Sequence, residues 1–423
     1  MNKAAQVFCN LTQIKPPEFK ASIVSFLFIF VLMSSYMIMK PVRDALPSDW
    51  GGASLAEQWT YTFLVSTIAV SLYNVFASSI SLRTLVPSVF IFFATTFVAI
   101  YIAFQGKLIE AGTLGKIFYT WSSVFSLFHI SVFWSFISQH YNKEQSKRVF
   151  GFINTGASAG AIFGPLMIVL LSSKINEENI LLVTAGVLLL TLPLIAILNK
   201  EFAKHETKEN NQRNLNPNPF SGFVELITHK RLCYISSFVF LFTGAAAFLY
   251  FAQTELLSEF TRPERKQLLG SVELATNLLT IIIGIFATNR IVRRFGMPTT
   301  LSLVPLLIFL LFLVVAVHPA IFFVLAMQVI RRTGNYAITK PAREILFTAV
   351  DREARFKTKP IIDVAIYRGG DVCWIWLITY LSTSAKLGLP AIFMIAAGSC
   401  LVWTTLAIFL GQAHDNDPDE KLT

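Results

Sequence analysis

The stretch "MKPVRDAL" (residues 39–46) ends a run of 19 uncharged residues and carries Lys40, Arg43 and Asp44. An arginine fork matches the planar oxygens of a carboxylate or phosphate, and a lysine adds a compact point charge. Lys40 and Asp44 are four residues apart, so on a helix they share a face and the acid can act as counter-ion. The pattern indicates either an anion-binding site or a charged cluster at a helix end.

A second charged group interrupts the apolar stretch "IIDVAIYRGGD" (residues 361–371). Arg368 and Asp371 are three residues apart, and Gly369 and Gly370 between them permit close approach of another backbone or of a ligand. The pattern predicts either a ligand-binding arginine beside an acid or an ion pair within one helix.

Three further polar residues stand alone among apolar ones. Glu273 is either a proton or cation site or a partner of Arg368. Asn154 begins "NTGASAG" (residues 154–160), which is typical of close helix packing, and its amide is also a candidate substrate contact. His129 is either a satisfied polar contact or a proton carrier.

The stretch "KPAREIL" (residues 340–346) repeats the order Lys-Pro-x-Arg-acid-x-Leu found at Lys40. Lys340 and Arg343 are therefore candidate anion contacts, and Tyr336 is a candidate for stacking on a ligand. The basic residues that follow, up to residue 360, are predicted to form a solvated segment.

The composition indicates an integral membrane protein. The chain has 423 residues, of which 54% are hydrophobic and only 14% charged, with 39 phenylalanines and a mean hydropathy of +0.60. Soluble domains carry about 25% charged residues. Ionisable residues inside membrane spans are costly, so the charged residues within the spans are candidates for function.

Apolar runs of about 20 residues, the length that crosses a bilayer as a helix, predict twelve spans. His318-Pro319 divides the uncharged stretch 295–330 into two of them, because the residue before a proline disfavours helix. We expect an all-α membrane protein with two six-helix halves, similar in layout to the major facilitators. The approximate spans are 21–40, 60–82, 84–106, 117–139, 149–172, 179–199, 232–254, 267–289, 297–316, 319–339, 361–384 and 388–411. The predicted domains are an N-terminal bundle (1–199), a linker (200–230), a C-terminal bundle (231–411) and a tail (412–423).

The distribution of cations predicts the orientation. With the N-terminus inside, the inner loops hold 25 lysines and arginines and the outer loops nine. Because cytoplasmic loops carry the excess of Lys and Arg, both termini and the linker are predicted to be cytoplasmic. We expect a multi-pass protein of a bacterial inner membrane. The net charge of +10 then reflects topology, and no nucleic-acid partner is expected.

Several classes of function lack their signatures. The sequence has no GxxxxGK[ST] loop and no HExxH motif, and its four cysteines are scattered. A lone His129 does not supply the nucleophile–base or metal constellation of an intramembrane enzyme. We therefore expect no enzymatic activity, catalytic residue, cofactor or metal, and a driving force from gradients or exchange.

Three blocks of the chain resemble the ATP/ADP antiporter family of nucleotide transporters, and the chain is similar to its short bacterial relatives. The blocks are "MKPVRDAL", "KEQSKRVFGFINTGASAGAIFG" (residues 143–164) and "KPAREILFTAVDREARFKTKPIIDVAIYRGGD" (residues 340–371). The resemblance implies a twelve-helix facilitator-like fold and nucleotide exchange, with basic residues on the phosphates. In this sequence the family's paired basic positions before an aspartate correspond to Lys40 and Arg43.

These residues together predict a cationic path for a small anionic substrate through a bundle that contacts the lipid bilayer. The predicted substrate-binding residues are Lys40, Arg43, Arg368, Lys340, Arg343, Asn154 and Tyr336. The predicted charge-pairing or coupling residues are Asp44, Asp371 and Glu273. A carboxylate-rich metal chelate (siderophore) or a sugar phosphate is an alternative to a nucleotide, proton symport is an alternative to exchange, and a non-transporting receptor is a further alternative. A monomer is expected.

Overall fold

The computed structural model describes residues 15–141, 143–171, 176–203, 226, 228–286, 288–347, 358 and 361–416. The predicted linker therefore lies largely outside the described residues, as do most of the basic segment after residue 347 and the end of the tail. Within the described residues the regular structure is helical, with no strand. An all-α fold is thus confirmed.

Fourteen α-helices are described, and each predicted span overlaps at least one of them, although α2 begins at Gly51 rather than at residue 60 and the span 179–199 is divided into α6 and α7. Nine helices in the described part of the chain are long and apolar enough to cross a membrane. The gap between Val317 and Ile321 confirms the break predicted at His318-Pro319. The helices are α1 (Phe19–Ala45), α2 (Gly51–Ser79), α3 (Leu82–Gln105), α4 (Ala111–His140), α5 (Lys143–Leu171), α6 (Glu177–Leu189), α7 (Thr191–Ala203), α8 (Lys230–Leu257), α9 (Arg262–Phe286), α10 (Thr288–Val317), α11 (Ile321–Gly334), α12 (Lys340–Leu346), α13 (Tyr367–Thr379) and α14 (Leu389–Asp415).

Three π-helical segments lie among these helices. Asn335–Thr339 joins α11 to α12, Ile362–Ile366 leads into α13, and Tyr380–Ser384 follows it. A π-helical turn changes the register of the side chains along a helix and occurs frequently at functional sites. All three segments adjoin helices that carry the buried or half-buried arginines described below.

The chain divides by its contacts into two compact units. Unit 1 consists of Met1–Leu46, Leu64–Asn211 and Thr261–Leu274, and unit 2 of Pro47–Phe63, Gln212–Phe260 and Ala275–Thr423. The start of α2 therefore belongs to unit 2, and the first half of α9 belongs to unit 1. Each unit includes a short segment from the other half of the sequence.

Close packing of α5 on α1 organises unit 1. Gly156, Gly160 and Gly164 are spaced four residues apart on α5, and each faces α1. A Cβ atom at Gly156 would lie 2.6 Å from the carbonyl oxygen of Phe26, and one at Gly160 would collide with the carbonyl oxygen of Phe30. Small residues at this spacing let two helix backbones approach closely. The packing expected for "NTGASAG" is thus present, and it holds α1 against α5.

The core of unit 2 is aromatic and aliphatic. Trp403 of α14 is fully buried and packs edge-on against Phe238 and Phe242 of α8 at centroid distances of 5.5 and 5.8 Å. Gly370 of α13 packs directly on the hydroxyl group of Thr243 in α8, so a side chain there would collide. This glycine therefore serves helix packing, and it brings α13 with its arginine close to α8.

Candidate functional site

A buried ion pair links α1 to α9 within unit 1. The Nζ atom of Lys40 lies 2.7 Å from the Oε1 atom of Glu273, and the two side chains are only 10% and 5% exposed. Glu273 was predicted as a proton or cation site or as a partner of Arg368, and its carboxylate here contacts Lys40. The lysine of the first motif therefore finds its counter-ion far along the sequence.

The course of α1 carries Lys40 into the interior. The helix continues past Pro41 as far as Ala45, and Met39, Lys40 and Val42 are all buried. Proline removes one backbone donor, which weakens a helix, but packing on α5 holds this one in place. The charged cluster is therefore part of the packed helix rather than a frayed, solvated end.

Arg43 pairs with its sequence neighbour. Its Nε and Nη2 atoms donate to Oδ1 of Asp44 at 2.8 and 2.6 Å, and Nη1 reaches the hydroxyl group of Tyr36 at 3.5 Å. The guanidinium also lies over the ring of Tyr119, with Cζ 5.7 Å from the centroid. Such a cation–π contact adds to the charge pairing when water is excluded. Arg43 is thus neutralised and oriented by the residues around it.

His129 lies beside this cluster. Its ring is 4.4 Å from that of Tyr36, the side chain is 4% exposed, and neither ring nitrogen has a hydrogen-bond partner among the described residues. The interaction that the structure gives it is stacking against aromatic rings. Asn154, by contrast, is exposed and lies on α5 just before its packed glycines.

Unit 2 contains a row of hydrogen-bonded polar side chains that the sequence analysis did not predict. Arg331 of α11 is 8% exposed, and its Nη2 atom donates to Oε1 of Gln328 at 2.9 Å. The Nε2 atom of Gln328 in turn donates to Oε1 of Gln253 in α8 at 3.0 Å. Cζ of Arg331 also lies 5.6 Å from the ring centroid of Phe242. The buried Arg331 therefore contacts one neutral amide, which a second amide supports, and an aromatic ring.

A sequence signal for Arg331 existed. The residue lies inside the predicted span 319–339, where a charge is costly, but the orientation argument assigned it to the inner loop cations. Gln328 precedes it by three residues, which is a helical contact spacing. The partnership with Gln253 depends on the packing of α11 on α8, and spacing within one helix carries no information about it.

Arg368 and Asp371 lie in α13, near Arg331. Both side chains are partly exposed, and no ion pair within 4.0 Å joins them to each other or to Arg331 in the described part of the chain. Asp371 is still close enough to interact electrostatically with both arginines. The ion pair within one helix, one of the two sequence interpretations, is therefore not formed in this structure.

The second basic motif lies at α12. Arg343 is buried, with its Nη2 atom 3.9 Å from Oε1 of Glu344, whereas Lys340 is exposed. Tyr336 lies in the π-helical segment before α12 and is 49% exposed. The structure therefore places Lys340 and Tyr336 where water or a ligand can reach them, and it packs Arg343 into unit 2.

Long apolar helices with a few buried charges are typical of polytopic membrane proteins. The chain belongs to the Major Facilitator Superfamily, whose sequence model matches residues 22–342. No curated protein matches the chain. An MFS-type secondary transporter is the function that this family membership supports.

Solved structures agree on the fold. The nucleoside transporter NupG is 14% identical, with a TM-score of 0.64 over 94% of this chain and 99% of that one. A POT family transporter in complex with 5-aminolevulinic acid is 11% identical, with a TM-score of 0.66 over 93% and 96%. A bacterial homolog of the human lysosomal transporter Spinster, in an inward-facing and unoccupied conformation, is 12% identical, with a TM-score of 0.54 over 94% and 96%. At these identities the likeness establishes the fold and leaves the substrate open.

Proposed function

We propose that this secondary transporter moves a small anionic metabolite across a bacterial inner membrane by alternating access. The observation that carries the proposal is the buried pair of Lys40 and Glu273, 2.7 Å apart. Taking two charges out of water costs several kcal/mol per ion, and their attraction repays this only in good geometry. Within a bilayer, such a pair is retained where charge has a function.

In this proposal, Glu273 and Asp44 pair with the cations that the substrate contacts when it binds. Glu273 neutralises Lys40 and Asp44 neutralises Arg43 in this structure. An anion that contacts the two cations releases the carboxylates, and the carboxylates pair with the cations again when the anion leaves. Because each state keeps the buried cations neutralised, the cost of changing from one to the other stays small.

Nucleotide exchange is the finer form of this proposal, and it rests on the resemblance to the ATP/ADP antiporter family. The phosphates of a nucleotide offer several oxygens that the lysines and arginines of the two basic motifs can contact. A carboxylate-rich metal chelate or a sugar phosphate presents similar oxygens and is the alternative. The apolar helix α8 contains no acid before Glu255, near its end, which distinguishes this chain from the nucleotide exchangers.

The proposed setting follows from the cation distribution. Both termini and the linker face the cytoplasm, and the motif at Lys340 and Arg343 lies toward the inner side of the membrane. The protein acts as a monomer in contact with the bilayer, and the substrate is its small-molecule partner.

Uptake by purified protein in liposomes tests the proposal. Labelled ADP, glucose 6-phosphate and citrate represent the candidate anions, and labelled adenosine is the matched neutral control for ADP. We expect accumulation of at least one anion above protein-free vesicles and no accumulation of adenosine. Accumulation of adenosine alone, or of none of the four compounds, contradicts an anion transporter of this kind.

A further inference from the structure

The guanidinium of Arg331 carries a charge that its contacts do not neutralise. Its hydrogen-bond acceptor is the amide oxygen of Gln328, and its Nε atom has no partner within the described ranges. No carboxylate of the described residues lies within 4.0 Å of it. A buried charge without a counter-ion costs several kcal/mol, so this site favours an incoming anion.

The two glutamines fix the direction of this guanidinium. Because the arginine donates, the acceptor oxygen of Gln328 faces Arg331, and its NH₂ group faces Gln253. Gln253 and Gln328 are 4% and 3% exposed, so water does not compete for these hydrogen bonds. These two hydrogen bonds orient Arg331 and leave it charged. Three of its N–H groups beyond Nη2 remain for a ligand.

The surroundings of Arg331 add positive charge. Arg368 in α13 interacts with the same acid, Asp371, so two arginines share one carboxylate at a distance longer than an ion pair. Arg368, Asp371 and Tyr367 in α13 are partly exposed. In unit 1, by contrast, Lys40 and Arg43 each have a carboxylate within 2.7 Å.

We propose that Arg331, held by Gln328 and Gln253 and assisted by Arg368, binds an oxyanion group, a carboxylate or a phosphate. The planar fork of an arginine receives two oxygens of such a group at once. The π-helical segment Asn335–Thr339, directly after α11, adapts the local register, as such turns do at functional sites. This inference rests on the proposed function, because it names the anion contact of the same transporter.

Two substitutions test the site, and the wild-type protein serves as reference. Gln328→Glu places a carboxylate where Nη2 of Arg331 now finds a neutral oxygen at 2.9 Å, and so neutralises the arginine. The amide of Gln253 must then turn its NH₂ group toward the new carboxylate, because the donor that it now accepts from is lost. Arg331→Gln removes the charge itself, and Arg331→Lys keeps the charge without the fork. The matched control is Arg294→Gln, because Arg294 is exposed at the surface of α10.

Binding of ADP, pyrophosphate and citrate is measured as thermal stabilisation of each purified variant, alongside uptake in liposomes. We expect stabilisation of the wild type, an apparent Kd at least tenfold weaker in Gln328→Glu and Arg331→Gln, an intermediate value in Arg331→Lys and no change in Arg294→Gln. Unfolding temperature without ligand shows whether each variant is folded. If Arg331→Gln does not fold, Gln328→Glu decides the outcome.

The outcomes separate this inference from the proposed function. Uptake of an anion with unchanged binding in Gln328→Glu overturns the role of Arg331 and leaves the transporter proposal intact. Binding that depends on Arg331, without uptake of any tested anion, supports the site and contradicts the transport proposal. A wild type that none of the three anions stabilises overturns the oxyanion site.

Discussion

Lys40 of α1 pairs with Glu273 of α9 at 2.7 Å, although Asp44 lies one helical turn farther along the same helix as the lysine. Asp44 instead accepts two hydrogen bonds from Arg43, at 2.6 and 2.8 Å. The motif around Lys40 is therefore neutralised partly by its own acid and partly by an acid from another helix. In the proposed mechanism, a substrate that displaces Glu273 would break this contact between α1 and α9 and so couple binding to helix movement.

The first prediction concerns this pair. Glu273→Gln leaves the ammonium of Lys40 buried without a carboxylate, which costs about 3–5 kcal/mol when a buried pair is broken from one side. We expect a lower unfolding temperature, measured by intrinsic fluorescence in detergent. The double variant Lys40→Met with Glu273→Gln should recover part of the loss, because no uncompensated charge is left.

The pair of Lys20 and Glu201 provides the matched control. Its Nζ–Oε1 distance is 2.6 Å, but the lysine side chain is 64% exposed. Exposed pairs contribute about 0–1 kcal/mol, so Lys20→Gln, at the exposed member of this pair, should scarcely change the unfolding temperature. Equal losses in Lys20→Gln and Glu273→Gln would show that burial of the Lys40 pair does not matter for stability.

The second prediction concerns the packing of α1 on α5. Gly160→Ala places a methyl group against the carbonyl oxygen of Phe30, and overpacking of this kind costs about 1–3 kcal/mol. Gly151→Ala, on the same helix, meets no atom within 4 Å and should be neutral or stabilising, because alanine is the better helix former. The unfolding temperature should fall in Gly160→Ala and stay unchanged or rise in Gly151→Ala. A fall of similar size in both would contradict the packing role of Gly160.

The sequence was sufficient to predict where the long helices lie, although α2 begins at Gly51 rather than at residue 60 and the span 179–199 consists of two helices. Each apolar run is long enough for the bilayer, and His318-Pro319 interrupts the longest one. Continuation of α1 past Pro41, which draws Lys40 and Arg43 into the bundle, was one of the two sequence interpretations, because no strongly polar residue follows Asp44 before Asp49. These features depend on local composition, which can be read directly from a sequence.

The pairing of the charges was not predictable in the same way. The partnership of Lys40 with Glu273 and that of Gln328 with Gln253 depend on which helices are neighbours and on how each is rotated. A single sequence holds no distances between helices. Arg331 shows the consequence, because its position suggested an inner loop while the structure buries it on α11.

The third prediction concerns Arg368. Because no ion pair within 4.0 Å involves this residue in the described part of the chain, Arg368→Gln breaks no ion pair and should leave the unfolding temperature nearly unchanged. Transport of the anion should be abolished, since the variant removes a charge from the proposed site. Uptake is compared with Arg294→Gln at equal protein per vesicle. Full uptake by Arg368→Gln would remove this residue from the site.

The fourth prediction concerns exchange. Lys40 and Arg43 are both paired with carboxylates in this structure, and breaking those pairs without a replacement anion is costly. If the paired, empty carrier reorients slowly, a bound anion on the return path speeds the cycle. Vesicles preloaded with the unlabelled anion should therefore accumulate label several times faster than empty vesicles. Glu273→Gln should reduce the difference in uptake rate between preloaded and empty vesicles, because Lys40 is then no longer paired with a carboxylate in the empty carrier. Equal initial rates in preloaded and empty vesicles of the wild type, with the same imposed pH gradient, would instead favour proton-coupled symport.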